Sequence, residues 1–204
     1  QATLMQLARS EALGQGELAL ALPEITETAA TILSCARASV WRYTKDHHSI
    51  TCLDLFRLDE GIHEQGIALD AADFPRYFDA LLEQRVIPAH DAHTDRRTAE
   101  FSEVYLAPLG ISSMLDAPIR VGGHMIGVLC VEHTGPMRTW TASEEGFASA
   151  LADFIALAIE ISERRRTEDE LRGLVELAEQ RLETIERQRL AIARLAMDRD
   201  AILG

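Results

Sequence analysis

Residues 112–133 read SSMLDAPIRVGGHMIGVLCVEH, and this stretch decides the fold of the chain. Two apolar runs, 112–121 and 124–133, flank the dipeptide Gly122-Gly123. A two-residue turn requires positive φ angles, which glycine adopts without strain, and it joins antiparallel strands. The sequence therefore predicts a β-hairpin whose two strands lie near the centre of a sheet.

Side-chain alternation divides the predicted hairpin into an apolar side and a mixed side. The apolar side is suited to packing under helices and comprises Leu115, Ala117, Ile119, Leu129 and Val131. The mixed side comprises Met114, Asp116, Pro118, Val128, Cys130 and Glu132. Because an isolated buried charge is costly, two carboxylates in mid-sheet require partners or water. The mixed side is therefore the predicted functional face.

Three interpretations of Asp116 and Glu132 stay open. In the first, the two carboxylates form internal ion pairs that close the site. In the second, they recognise a polar or cationic ligand, and in the third they lie at a rim in water. Candidate partners from the covering segments are Arg96, Arg97, Tyr105 and His90. If a ligand binds, residues 90–105 form its lid. The candidate ligand-binding residues are Met114, Asp116, Cys130, Glu132, Tyr105, His90, Arg97 and Phe101.

The residues before this hairpin alternate between helical and strand periodicity. The predicted helices span residues 3–13, 17–35, 73–84 and 98–106. The predicted strands span 38–43 and 49–58, which form a hairpin around a polar turn, and 86–89. Residues 59–72 show no firm period. Asp73, two residues before Pro75, is the predicted N-cap of its helix.

Ser143 is the predicted N-cap of a helix that continues to the end of the sequence. Trp140, just before it, is expected to anchor this helix to the sheet and to couple the ligand face to the helix. The second part of the helix has a heptad pattern that is typical of a dimeric coiled coil. Its core positions are Leu171, Val175, Ala178, Leu182, Ile185, Arg189, Ile192, Ala196, Arg199 and Leu203.

The segment His90-Asp91-Ala92-His93 has a spacing that metal sites use, but it is predicted to lie in a loop. Aspartate and histidine also fix turns and cap helices in loops. We therefore favour a structural role, in which Asp91 accepts hydrogen bonds from backbone N–H groups. No metal site is predicted.

Composition excludes several classes of partner. The 204 residues contain 20 Lys and Arg against 33 Asp and Glu, a net charge of −13. A surface of this sign repels nucleic acid and anionic lipid, and no apolar run is long enough to cross a bilayer. Three cysteines do not suggest a disulfide framework and fit the cytoplasm. Because the sequence lacks an initiator methionine and stops in mid-heptad, we expect a fragment of a longer protein.

The second half of the chain resembles the GAF domain family. The similarity is carried by RVIPAHDAHTDRRTAEF, by YLAPLGISSMLDAPIRVGGHMIGVLCVEHTG and by MRTWTASEEGFASALADFIALA, and it extends over residues 17–162. It implies an α+β fold with an antiparallel sheet of five to six strands and helices on both faces. Small ligands of the family bind on the face opposite the first and last helices. Residues 1–16 would then be an N-terminal helix or linker.

The specific chemistries of this family find little support in the sequence. The predicted helix 98–106 has no cysteine for covalent bilin attachment, and the Asn-Lys-Phe motif of cyclic-nucleotide-binding relatives is absent. Haem would need His90 or His93 as an axial ligand, which we do not favour. Cys35 and Cys52 are expected to lie away from Cys130, so the sulfoxide reductase chemistry of the family is disfavoured. The cofactor stays unknown, and we expect no enzyme activity.

The sequence ERRRTEDELR at 163–172 resembles the signalling helices that connect GAF domains to a histidine kinase, a diguanylate cyclase or a related output. We therefore interpret the chain as a regulatory sensor, with a GAF domain at 17–162 and a signalling helix at 163–204. It would bind a small ligand and signal through a parallel homodimer to an output domain outside this chain. The alternatives are a ligand-free dimerisation and relay module, and a cysteine-based redox enzyme.

Overall fold

The computed structural model describes Leu7 and residues 11–203, with side chains for residues 7, 12 and 14–194. The chain divides into two compact units, and the boundary follows Ser162. Most of the predicted helix 3–13 lies outside the described residues. Within them, α1 spans Glu11–Gln15 and α2 spans Leu18–Leu33.

One antiparallel sheet forms the centre of the first unit. Over the described residues it has seven strands, in the order β3-β2-β1-β7-β6-β5, and β4 also pairs with β2. The strands are β1 Arg37–Tyr43, β2 Ser49–Arg57, β3 Ile62–Glu64, β4 Ala68–Asp70, β5 Ile87–Ala89, β6 Ile111–Val121 and β7 His124–Thr134. The predicted α+β architecture is confirmed, with one strand more than expected. The strands that sequence patterning missed, β3 and β4, are mostly exposed on both faces and so lack an alternating pattern.

The predicted central hairpin is confirmed as β6 and β7. Val121 pairs with His124, and the turn residues Gly122 and Gly123 have φ angles of 57° and 83°. These angles are strained for residues with a Cβ atom, so the glycine pair selects the turn. In the resulting register Asp116 lies opposite Cys130, and Met114 lies opposite Glu132.

The edge of β6 is only partly covered by another strand. β5 pairs with residues 114–116, and Pro118 lies two residues beyond the end of this short ladder. Farther along, the Arg120 guanidinium donates hydrogen bonds to the carbonyl oxygens of Leu81 and Leu82, at 2.8 and 2.9 Å. These carbonyls belong to the last turn of α3, Pro75–Glu83, so the arginine caps this helix and covers the strand edge.

Helices cover one face of the sheet, as expected. α2 and the first part of α5, Ala142–Leu203, pack on the apolar side of the hairpin. Leu115, Ala117, Ile119, Leu129 and Val131 are completely buried in this layer. Thr141, rather than the predicted Ser143, starts α5: its Oγ1 accepts the N–H of Glu144, and the Glu144 carboxylate accepts the N–H of Thr141. This reciprocal pair is a capping box.

The other face is covered by α3 and by the segment that follows β5. The predicted helix 98–106 is instead a 3-10 turn at Ala99–Phe101, a π-helical turn at Ser102–Leu106 and a single α-helical turn, α4, at Ala107–Leu109. Asp73 does not cap α3: Phe74 occupies the N-cap position, and Asp73 ends a separate 3-10 turn, Ala71–Asp73, which Asp70 caps. The backbone N–H groups of Arg76 and Tyr77 donate hydrogen bonds to the carboxylate of Glu100. The cap of α3 therefore comes from the covering segment itself.

The described part of the chain contains no helix with the combination of length and apolar character that crossing a membrane requires.

Candidate functional site

Asp116 lies at the centre of the mixed sheet face and is completely buried. The Tyr77 hydroxyl donates a hydrogen bond to Oδ2 at 2.8 Å and lies 3.6 Å from Cys130 Sγ. Among the described side chains, none satisfies Oδ1 of Asp116. Burial raises the pKa of Asp116 to about 7, and repulsion from Glu132 adds to this effect while the Tyr77 hydrogen bond opposes it. Asp116 is thus a carboxyl group that can change its protonation state near neutral pH.

Glu132 is the second buried carboxylate and is 2% exposed. Tyr105 donates its hydroxyl to Oε1 at 2.7 Å, and Arg37 Nε lies 3.1 Å from Oε2. This second contact is an ion pair without a hydrogen bond, because the Arg37 N–H does not point at the oxygen. Burial raises the pKa of Glu132, although Arg37 and the Tyr105 hydrogen bond oppose the shift. Oε1 of Glu132 therefore accepts a hydrogen bond, whereas Oε2 has an ion-pair partner and no hydrogen-bond donor among the described residues.

The strand register brings the two carboxylates together. Asp116 lies opposite Cys130, which is two residues from Glu132 on the same side of β7. Diagonal neighbours of this kind lie about 7–8 Å apart, so their charges repel in a buried setting. The predicted quartet of Met114, Asp116, Cys130 and Glu132 is therefore one contiguous patch.

An aromatic layer covers this patch. Phe74 and Phe101 are stacked at 4.1 Å between ring centroids, and Tyr77 meets Phe101 edge-on at 4.8 Å. Tyr105 adjoins Phe101 at 6.1 Å. Phe101 itself is 3% exposed. Two tyrosine hydroxyls thus reach the carboxylates from a layer that is otherwise apolar.

A cleft of about 390 Å³ opens beside Glu132. Arg37 and Tyr105, the two partners of this carboxylate, contribute to its wall, and Arg57 adds a second guanidinium. The remaining lining residues are Ala36, Asp59, Glu64, Ile67, Leu109 and Thr134. A volume of this size falls within the range of small-molecule sites.

His90 and Arg97 lie at the periphery of the patch, and neither binds a carboxylate of the central pair. His90 follows the end of β5 and is exposed, and its Nδ1 accepts the N–H of Trp140 at 3.1 Å. Arg97 forms an ion pair with Asp95 at 2.6 Å and donates to the Gln84 side chain at 2.7 Å. Sequence reasoning missed Tyr77 and Arg37, the partners that do bind. The pairing of Arg37 with Glu132 follows from the β1–β7 register, which no local pattern reveals.

The loop that contains His90 and His93 has the structural role expected from its composition. Asp91 Oδ1 accepts the N–H of His93 at 3.1 Å, and the two ring nitrogens of His93 contact Ser102 Oγ and the carbonyl oxygen of Ile111. Within the described residues, no group of three or more His, Cys, Asp and Glu side chains could hold a metal ion.

The three cysteines are buried thiols. Cys35 lies in the helical layer, whereas Cys52 shares the opposite layer with Cys130, contrary to expectation. Burial is the main cause that raises the pKa of Cys35 to about 11 and of Cys52 to about 12. Such thiols are poor nucleophiles, because the reactive thiolate is scarce at neutral pH.

The start of α5 is bonded to both layers. Trp140 is 3% exposed, and its Nε1 donates to the carbonyl oxygen of Ala89 in β5. The Arg138 guanidinium lies 4.3 Å from the Trp140 ring centroid, donates to the Leu33 carbonyl at 2.7 Å and pairs with Glu144. Trp140 and Arg138 therefore connect the start of α5 to β5 and to the end of α2.

Comparison with known families identifies this arrangement. A model of the GAF domain matches residues 17–159, which include the whole sheet and both covering layers. The chain belongs to the GAF domain family. Members of this family are generally sensory and regulatory modules of signalling proteins. No curated protein matches the chain at a significant level of similarity.

Solved GAF domains share the fold at low sequence identity. The GAF domain of an Acinetobacter phosphoenolpyruvate-protein phosphotransferase is 15% identical with a TM-score of 0.60, covering 80% of this chain and 91% of that chain. The blue-light absorbing form of the Thermosynechococcus elongatus PixJ GAF domain is 14% identical with a TM-score of 0.61, covering 82% and 98%. The phycoerythrobilin-bound GAF domain of a cyanobacterial phytochrome is 20% identical with a TM-score of 0.62, covering 77% and 94%.

Proposed function

We propose that this GAF domain is the sensory module of a cytoplasmic signalling protein and binds a small polar ligand over Asp116 and Glu132. The observation that carries the proposal is the buried carboxylate pair with an unsatisfied oxygen at Asp116. Buried acceptors without donors are costly, and a ligand with N–H groups removes this cost. We therefore expect an amine, amidine or guanidine group on the ligand.

The binding residues in this proposal are Met114, Asp116, Cys130 and Glu132 on the sheet, with Phe101 and Tyr105 above them. The cleft beside Arg37 and Tyr105 is the route of entry, because it reaches a direct partner of Glu132. His90 and Arg97 act at the periphery, where His90 connects the start of the covering segment to Trp140 and Arg97 connects its middle to Gln84 at the end of α3. The π-helical turn supports a role for this segment, since such turns are rare and are frequent at functional sites.

Signal transmission in this proposal starts at Trp140. A ligand that moves the covering segment also changes the environment of Ala89 and His90, both of which bond to Trp140. The first turn of α5 then shifts between two arrangements. A ligand changes the populations of the two arrangements only by the difference in its affinity for them. This change in population alters the average position of the helix.

The output of the proposed sensor is a dimeric helix. The heptad positions Leu171, Val175, Leu182, Ile185 and Ile192 are each at least half exposed in the single chain. A parallel homodimer through residues 163–204 would bury them as a coiled-coil core. The helix would lead to a histidine kinase, a diguanylate cyclase or a related domain outside this chain.

A ligand-free relay is the second candidate function. Its support is that Tyr77, Tyr105 and Arg37 already bind the carboxylates and that stacked rings cover them. In that case the face is a closed core, and the signal enters through the N-terminal helix. Bilin binding is not proposed, because residues 98–109 contain no cysteine and all three cysteines are buried.

Native mass spectrometry of freshly purified protein, followed by denaturation to release bound molecules, tests both candidates. We expect a dimer with additional mass from a nitrogen-containing molecule. Thermal unfolding with agmatine and spermidine, compared with succinate, then tests the ligand class. The Asp116→Asn and Glu132→Gln variants should lose the response, while Asp79→Asn, a change at an exposed site on α3, should retain it. A dimer without added mass or thermal shift would support the relay instead.

A further inference from the structure

A second cleft, of about 530 Å³, lies on the helical side of the sheet, away from the carboxylate pair described above. Leu18, Ala19, Leu22 and Pro23 of α2 form one wall. The opposite wall consists of Arg42, Leu53, Asp54, His63, Glu64 and Gln65. The cleft therefore combines an aliphatic wall with charged groups from β1, β2 and β3, and mixed walls of this kind are found in small-molecule sites.

A β-bulge places Asp54 in this cleft. Val40 pairs with Asp54 while Trp41 pairs with Cys52, so Leu53 is an extra residue in β2. Ordinary alternation would send Leu53 and Asp54 to opposite faces. Instead Leu53 packs in the helical layer, and Asp54 accepts a hydrogen bond from Thr26 of α2. Bulges of this kind re-aim side chains and are frequent beside functional sites.

His63 joins Asp54 to a second carboxylate. Its Nδ1 lies 3.1 Å from both Asp54 oxygens, and its Nε2 lies 3.0 Å from Glu27 Oε1. Both ring nitrogens face acceptors, and only the imidazolium form donates from both. Burial alone would lower the pKa of His63, but its contacts with Glu27 and Asp54 outweigh burial and raise it. The cation is therefore held by the two carboxylates.

The lining of the cleft also includes Arg42 from β1 and Glu64, the neighbour of His63 in β3. Together with Glu27 and Asp54, three carboxylates and one guanidinium therefore lie in or beside the cleft. They favour a positive charge at the position of the imidazolium whether or not His63 itself carries it. A cationic group that enters the cleft competes with His63 for the same carboxylates.

We propose that this cleft binds a small amphipathic cation, whose ammonium or amidinium group contacts Asp54 and Glu27 while its hydrocarbon part lies along Leu18, Leu22 and Leu53. Binding displaces the His63 imidazolium from the carboxylates, and above the ordinary imidazole pKa of about 6.5 the displaced ring releases its proton to water. The site lies on the helical side of the sheet and does not depend on the proposed sensor site, although Glu64 of the edge strand β3 contributes to the lining of both clefts. Because proton and ligand compete, affinity rises as pH increases through the pKa of His63.

The test uses the whole chain and hexylammonium, with hexanoate and hexanol as probes of matched length. Binding is followed by the amide NMR signals of Leu22 and Gln65 at pH 5.5 and pH 9. We expect hexylammonium to shift these signals with a higher affinity at pH 9 than at pH 5.5, and hexanoate not to bind. Equal binding of hexanoate, or no binding of hexylammonium at either pH, would overturn the proposal.

Matched variants assign the effect to the cleft. Ala19→Trp fills the cleft from an exposed position on α2 and should abolish binding, whereas Thr31→Trp at another exposed position on α2 should not. His63→Gln should bind hexylammonium with little dependence on pH. If His63→Gln keeps the pH dependence of the unmodified protein, displacement of His63 is wrong. In Asp116→Asn the hexylammonium-induced shifts of Leu22 and Gln65 should be retained, which separates this cleft from the proposed sensor site.

Discussion

Asp116 is completely buried, although the ionised form of its carboxyl group is unfavourable away from water. It is completely enclosed, one of its oxygens lacks a donor among the described residues, and its pKa is raised to about 7. A carboxyl group in an unfolded chain titrates near pH 4. Between these two values the folded protein retains a proton that the unfolded chain releases. The contribution of Asp116 to the free energy of unfolding therefore decreases as pH rises from about 4 to about 7.

Replacing Asp116 by asparagine removes this titration. We expect the free energy of unfolding of Asp116→Asn, relative to the unmodified protein, to increase between pH 5 and pH 8 by on the order of a few kcal/mol. Urea unfolding at the two pH values measures the difference. Asp79→Asn, at an exposed site, provides the control and should show a constant difference. A constant difference for Asp116→Asn would show that Asp116 is ionised in the folded state.

The Tyr77 hydroxyl is the donor on which the Asp116 carboxylate depends. Tyr77→Phe keeps the ring and its contact with Phe101 but leaves Oδ2 without its hydrogen bond. We expect a loss of about 1–3 kcal/mol in unfolding free energy, because a buried acceptor is left unsatisfied. Tyr43→Phe, at a half-buried tyrosine near Phe78, should cost much less. Equal losses for the two variants would contradict the importance of this hydrogen bond.

Gly127 lies where β7 and β1 are too close together to leave room for a side chain. A Cβ atom at this position would lie 2.1 Å from the carbonyl oxygen of Trp41 in β1. Gly127→Ala should therefore destabilise the protein by about 3 kcal/mol or more, because backbone must move. Gly146→Ala in the exposed first part of α5 meets no atom within 4 Å and should stabilise by about 0.5–1 kcal/mol. Chemical unfolding of both variants tests these opposite signs.

Elements with a strong local signal could be predicted from the sequence, and those that depend on distant partners could not. The Gly122-Gly123 hairpin and its apolar and mixed sides follow from alternation alone. The short strands β3 and β4 do not, because their residues are mostly exposed. For the same reason the carboxylates of the candidate site were identified, while their partners Tyr77 and Arg37 were missed. Those contacts depend on strand order and helix docking, which a single sequence does not encode locally.

At the scale of the whole molecule, we expect the protein to form a dimer through the exposed heptad positions of α5. Leu182→Lys places a charge at a core position of the proposed coiled coil and should convert a dimer to a monomer. Arg187→Leu is a control at an exposed position outside the heptad core. Arg189→Leu removes one of the two charged core positions, Arg189 and Arg199, and should lower the dimer dissociation constant. Light scattering after size exclusion measures all three, and a monomeric unmodified protein would exclude the coiled coil.

The incompletely paired edge of β6 has a consequence for behaviour at high concentration. Open strand edges recruit other chains by continuing the ladder of backbone hydrogen bonds. Here Pro118 offers no N–H, and Arg120 ties the end of α3 across the remaining edge. Little of this edge is therefore left for pairing with a strand of another chain, so we expect the β6 edge not to seed amyloid-like association at high concentration.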